Sequence, residues 1–254
     1  MSHPEQLGFF EAVAAASADL LTGCAMLEVG SYDVNGTVRG IFGNADEYVG
    51  VDLVEGPGVD VIGYGHELDY ADATFDAAIS GECFEHDLHW ADTFTNMTRL
   101  TRPGGLVAFT CASRGRPEHG TRRTRADDSP GTQAEGLDYY RNLTEVEFAE
   151  RLPLSDLFAD HRFWYLPTSF DLYFAGVREG TAADRPMARL PEDARITALG
   201  RLMPMPHKLA RLPLRSLSRM LPDERYQSAI RPYWSLVERV GRSPRLSGWQ
   251  RAAP

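Results

Sequence analysis

An α/β fold with a doubly wound, mostly parallel sheet is predicted by three features of the chain. Apolar runs of strand length recur, each leading into a turn that carries glycine or an acid. Stretches of helical spacing separate several of them. The first run ends in a glycine loop of the kind that lies against a nucleotide-like ligand.

The elements follow in order. Residues 4–22 are predicted helical, with Leu7, Phe10, Val13, Ala14, Leu20 and Leu21 on or near one face, Pro4 in the first turn and Gly23 at the stop. Strands are expected near 25–29, 47–52, 58–62, 75–80 and 105–111. A helix is expected from about 88 to 101, where Trp90, Phe94, Met97 and Leu100 share a face. Residues 163–166 and 172–177 read as two final strands joined by a link short enough for a hairpin. Between them and the fifth strand, residues 113–143 form a long polar segment, and such segments inside a compact domain are usually functional or disordered. Thr144 and Glu147 have the spacing of a capping box.

Composition bounds the function classes. A chain of 254 residues with 43% hydrophobic and 24% charged residues suits one sizeable core and a smaller appendage. It has no apolar run long enough to span a membrane and no secretory signal, and Cys24, Cys83 and Cys111 are few and widely spaced. These features predict a cytoplasmic protein, and the single lysine against many arginines suggests a high-GC, bacterial genome. The net charge of −10 divides unevenly: residues 1–180 are strongly acidic and residues 181–254 basic. Two units are therefore expected, a ligand-binding domain over 1–180 and a basic helical extension over 181–254. In that extension Pro213 is expected to interrupt any helix, while 224–240 is the better helical stretch. The basic segment suits packing on the acidic body, or contact with an anionic partner or another copy in a homo-oligomer.

Five strings carry a family resemblance: Leu-Glu-Val-Gly (27–30), Val-Gly-Val-Asp (49–52), Phe-Asp-Ala-Ala-Ile-Ser (75–80), Glu-His (85–86) and Leu-Thr-Arg-Pro-Gly-Gly-Leu (100–106). In this order and spacing the chain resembles the class I S-adenosylmethionine-dependent methyltransferases. The resemblance implies a Rossmann-like sheet of seven strands with an antiparallel last strand. It also implies an enzyme that uses S-adenosylmethionine and releases S-adenosylhomocysteine. One departure stands in the glycine loop, where Tyr32 occupies the place of the family's usual second glycine.

Candidate site residues follow. Glu28, Gly30, Ser31, Tyr32, Asn35 and Gly36 belong to the loop expected at the amino-acid end of the cofactor. Asp52 offers a carboxylate for two ribose hydroxyls, with Leu53 beside the adenine. Tyr64, Gly65, His66, Glu67 and Leu68 stand where the resemblance puts the adenine slot, and Gly81 and Glu82 where it puts the sulfonium. His86, His119 and Tyr140 are the candidate catalytic residues, imidazole because it titrates near neutrality. Arg114, Arg116, Arg122, Arg123 and Arg125 are candidates to grip an anionic acceptor. Glu82, Glu85, His86, Asp87 and His89 cluster in sequence, but acids and histidines at a strand tip are common without metal, and no metal is expected.

The polar His- and Arg-containing segment favours a hydrophilic acceptor, small or carrier-linked. A hydroxyl of a sugar or natural-product intermediate is the first choice, supported by a weaker resemblance to methyltransferases of bacterial polysaccharide clusters. The rivals are an N-methyltransferase acting on an antibiotic or an RNA base, and a cofactor-binding scaffold without catalysis. The acidic body speaks against nucleic acid.

Overall fold

The structure, a computed structural model, describes residues 3–182 and 185–241. Seven strands form one sheet: β1 (Ala25–Val29), β2 (Glu47–Asp52), β3 (Val61–Ile62), β4 (Phe75–Gly81), β5 (Thr101–Ala112), β6 (Phe158–Leu166) and β7 (Asp171–Arg178). Their spatial order is β3-β2-β1-β4-β5-β7-β6. Strands β1 to β5 pair in parallel, and β7 runs antiparallel between β5 and β6. This is the Rossmann-like sheet expected from the sequence.

The helices are α1 (Pro4–Ala16), α2 (Ala18–Leu21), α3 (Trp90–Leu100), α4 (Pro130–Ala134), α5 (Glu145–Arg151), α6 (Leu154–Leu157), α7 (Asp193–Ala198), α8 (Met205–Met220) and α9 (Asp223–Gly241). Successive strand residues point to opposite faces, so Met26 and Leu27 enter different cores. Met26, Ala77 and Tyr173 pack with Phe9, Phe10 and Val13 of α1. Leu27, Phe109 and Phe174 pack with Phe94 and Met97 of α3 and Phe148 of α5.

Three boundaries differ from the sequence reading. The helix expected over 4–22 breaks at Ser17, whose hydroxyl donates to the Arg189 carbonyl at 2.8 Å. The third strand is only Val61–Ile62, because Gly58 turns away with φ of 85°. Pro213 does not interrupt the helix: α8 runs through it, since Pro213 and Leu209 both face solvent and water can take the Leu209 carbonyl that proline leaves unbonded.

The segment after residue 181 is continuous with the body. Ala188, Ile196 and Leu199 belong to the α1 core. Leu214 of α8 and Tyr226 and Ile230 of α9 enclose Phe170 in a smaller core. The α8 helix turns Arg211 and Arg215 toward the body, with Arg211 over the Trp234 ring at 5.3 Å, and exposes Arg219 together with Met205, Leu209, Leu212 and Met220. Residues 242–254 of the expected extension lie outside the described residues.

Candidate active site

A cavity of about 420 Å³ opens at the carboxyl ends of β1, β2 and β4, where ligands bind in open parallel sheets. Gly30 ends β1 with φ of 82°, and a Cβ there would lie 2.6 Å from the Cβ of Cys83, so only glycine lets the two strand tips meet. Asp52 at the tip of β2 ties the loops together. One carboxylate oxygen accepts the Tyr32 N–H at 3.1 Å and the other the Leu53 N–H at 2.7 Å. Burial pushes its pKa up, against those two hydrogen bonds.

The departure at Tyr32 has a local explanation. A Cβ on Gly56 would fall 2.1 Å from the Tyr32 ring, so the ring lies on a glycine that makes room for it. Gly36 closes the loop with φ of 116°, its N–H donating to Asp33 at 2.6 Å.

Of the residues singled out from sequence, Gly30, Tyr32, Asp52, Leu53, Tyr64, Gly65, His66, Glu67, Gly81, Glu82 and His86 line the cavity. Glu28, Ser31, Asn35 and Gly36 line a smaller chamber beneath the loop, of about 30 Å³. There Glu28 accepts the Tyr48 hydroxyl at 2.6 Å, and burial pushes its pKa up to about 7. Leu68 is packed into the sheet core instead, and its carbonyl accepts from Asn96 and Arg99. His119 and Tyr140 do not line the cavity. They stand against His86, with ring centroids 5.0 and 5.5 Å from it.

Glu82 holds a left-handed backbone, φ 53°, which a non-glycine residue rarely adopts. It is buried, neither of its oxygens has a hydrogen-bond partner, and the nearest cation is Arg116 at 3.6 Å. Burial, with Asp171 adding, raises its pKa. Arg116 donates to Asp171 at 3.0 Å, and Asp171 also pairs with His3 at 2.8 Å. His86 is pushed down to about 4 by burial and is neutral at pH 7, with Nδ1 at 3.4 Å from the Tyr139 carbonyl.

The arginines considered for anion binding are engaged elsewhere. Arg123 pairs with Glu118, Arg125 with Asp128 and Arg116 with Asp171, and neither Arg114 nor Arg122 reaches the wall.

The long polar segment is folded back over the cavity. Asp128, Ser129, Pro130, Gly131, Thr132 and Leu137 line it. Gly131 sits on Asp52, where a Cβ would come 2.7 Å from the carboxylate oxygen. The Tyr64 hydroxyl donates to Glu135 at 2.9 Å and joins the far end of this cover to the rim beyond β3. Sequence reasoning missed these residues; their one local signal is the Ser-Pro-Gly string at 129–131, a helix start with a glycine inside it.

A parallel sheet in this strand order, an antiparallel β7 and a cavity bounded by Gly30 and Asp52 define the class I methyltransferase fold. Residues 36–109 match the family described as Methyltransferase domain, and this match together with the fold supports S-adenosylmethionine-dependent methyl transfer. Among solved structures it resembles the YcgJ protein of Bacillus subtilis, with 13% identity over 70% of this chain and 100% of that one and a TM-score of 0.50. It also resembles phosphoethanolamine N-methyltransferase 2 of Haemonchus contortus in complex with S-adenosyl-L-methionine, with 15% identity over 69% and 52% of the two chains and a TM-score of 0.50. A 1,6-didemethyltoxoflavin-N1-methyltransferase of Burkholderia thailandensis shares 19% identity over 68% and 79%, with a TM-score of 0.47. No curated protein sequence matches the chain.

Proposed function

We propose that the chain methylates a hydroxyl oxygen of an uncharged, hydrophilic acceptor, small or carrier-linked, such as a sugar. The observation that carries this reading is the cavity wall. Among the described residues it holds five carboxylates (Asp52, Glu67, Glu82, Asp87, Asp128), three imidazoles and no lysine or arginine. Ionised carboxylates only accept hydrogen bonds, and sugar hydroxyls donate them. A phosphate or carboxylate on the reacting unit would meet like charge, because Arg116 and Arg125 stand behind the wall acids Glu82 and Asp128 rather than on the cavity wall.

The residues present fit the cofactor. Asp52 has both oxygens oriented by backbone N–H groups and accepts the ribose diol. Glu82, buried without a hydrogen-bond partner, suits the ammonium of the methionine end, and the buried Ser31 hydroxyl, also without a partner, lines the smaller chamber beneath the loop after β1. Leu53 and the Tyr64–His66 stretch bound the adenine. When bound, S-adenosylmethionine supplies an electrophilic methyl group. The protein's part is positioning: the strand tips hold one side, the cover around Gly131 holds the other and excludes water, and His86 meets the acceptor oxygen.

The same acids would attract an amine, which must first lose a proton to react; that is the second reading. A cytoplasmic setting is supported by three free cysteines, two of them buried. Self-association through the basic segment is supported by the exposed apolar face of α8.

Calorimetric titration with S-adenosylhomocysteine tests the site. Asp52→Ala should weaken binding at least tenfold, about 1.4 kcal/mol, with the fold retained by circular dichroism. An acceptor screen read by S-adenosylhomocysteine release then tests the chemistry. Turnover with glycosides or free sugars supports the hydroxyl reading, and turnover confined to amines overturns it.

A further inference from the structure

Behind His86 lies a group of side chains that the methyl-transfer reading does not use. Glu85 is fully buried, and neither carboxylate oxygen receives a hydrogen bond from another residue. A fully buried acid whose oxygens accept no hydrogen bond is open to a ligand that supplies positive charge. His119 brings Nε2 to 3.7 Å from Glu85 Oε1, too far for a hydrogen bond. One ligand-type atom from each of Glu85, His86 and His119 lies within 4.8 Å of the others.

Both imidazoles are oriented in the same way. His86 Nδ1 lies 3.4 Å from the Tyr139 carbonyl and His119 Nδ1 3.3 Å from the Pro117 carbonyl. A carbonyl only accepts, so Nδ1 carries the proton in both rings and Nε2 keeps its lone pair. This backbone-held tautomer is the usual second contact of a metal-binding histidine. Two ligands 3.7 Å apart, each ~2.1 Å from an ion, would subtend roughly 120° there, within the range of tetrahedral or five-coordinate sites. Tyr140 packs against both rings but is not a ligand, since its hydroxyl donates to Asn142 at 2.8 Å.

We propose that Glu85, His86 and His119 bind a divalent first-row transition-metal ion. Two imidazoles and one carboxylate select zinc, iron, manganese or cobalt over magnesium and calcium, which favour oxygen alone. The ion would join the turn after β4 to the polar segment that covers the cavity, because Glu85 and His86 come from the first and His119 from the second. The other acid-histidine group, His3 with Glu82 and Asp171, carries no such proposal, because His3 and Arg116 already compensate Asp171.

The test needs no turnover and so is separate from the acceptor's identity. Full-length protein, freed of metal with a chelator, is titrated with Co²⁺ while ligand-field absorption and heat are followed. Stoichiometric uptake with a visible band is expected. Glu85→Gln and His119→Gln should each weaken it at least tenfold while S-adenosylhomocysteine binding shows that each variant is folded. If those variants fail to fold, His119→Asn, which shortens the ligand, replaces them. Folded wild type without a Co²⁺ band, or uptake unchanged in folded variants, overturns the site.

Discussion

His3 shows how one residue near the chain's start is tied to the sheet. Burial drives its imidazole toward the neutral form. The Asp171 carboxylate at 2.8 Å, with Glu5 adding, outweighs this and raises its pKa to about 9. A folded-state pKa above the unfolded 6.5 means that the stabilisation is complete below pH 6.5 and is lost as pH rises through about 9. Urea unfolding across that window should therefore show stability falling on the alkaline side. His3→Gln should lower stability near pH 6 and flatten the fall; an unaltered profile would mean that the pair is not formed. Asp52 and Tyr32 illustrate the opposite ends of what a sequence conveys at this scale. Asp52 can be read from its place at the end of an apolar run. The accommodation of Tyr32 by Gly56 cannot, because it depends on two loops meeting in space.

Among the elements, α8 departs most from what its sequence suggests. A proline nine residues into a helix removes one N–H and crowds the carbonyl four residues back, yet Met205–Met220 remains helical. The helix tolerates this because the defect faces water. Pro213→Ala should restore the Leu209 hydrogen bond and stabilise the protein by about 1–3 kcal/mol, offset in part by a freer unfolded chain. Thermal unfolding checks this, and a lower midpoint would place the defect against the body instead. Strands β1, β2 and β4 are legible because apolar runs buried on both faces need no neighbour to declare them. The inward placement of Arg211 and Arg215 on α8 is not legible, because polar groups facing the body reverse the usual amphipathic pattern and only the packed structure shows which face is covered.

At the scale of the molecule, the segment from 113 to 143 and the C-terminal helices act as one assembly. The Tyr226 hydroxyl donates to the Gly115 carbonyl at 2.6 Å. Gln227 both accepts from Glu118 N–H at 2.9 Å and donates to the Arg116 carbonyl at 2.9 Å. Asn142 donates to Arg116 and Asp223, each at 3.0 Å. The cover is thus held from behind by α9 while Gly131 meets Asp52 in front. Hydrogen exchange should show slower exchange at 129–137 as well as at the loop after β1 when S-adenosylhomocysteine is added. Protection confined to the strand tips would mean that the segment does not close the site. From sequence this stretch reads as a long polar loop that starts beside the cofactor and could form the acceptor site; which of its residues meet the cavity depends on contacts more than 70 residues apart, such as Tyr64 with Glu135.

The sheet itself closes without that segment: β5 pairs directly with β7 from Leu106–Val177 to Ala112–Asp171. The chain leaves the sheet at Ala112 and re-enters its core at Leu143, whose N–H donates to the Ala112 carbonyl at 3.0 Å. What lies between is a cassette hung on that frame. Selection can then rewrite the cassette that covers the cavity while the strands that carry Gly30 and Asp52 stay as they are. An engineer seeking a new acceptor would graft between those two splice points and leave the sheet untouched.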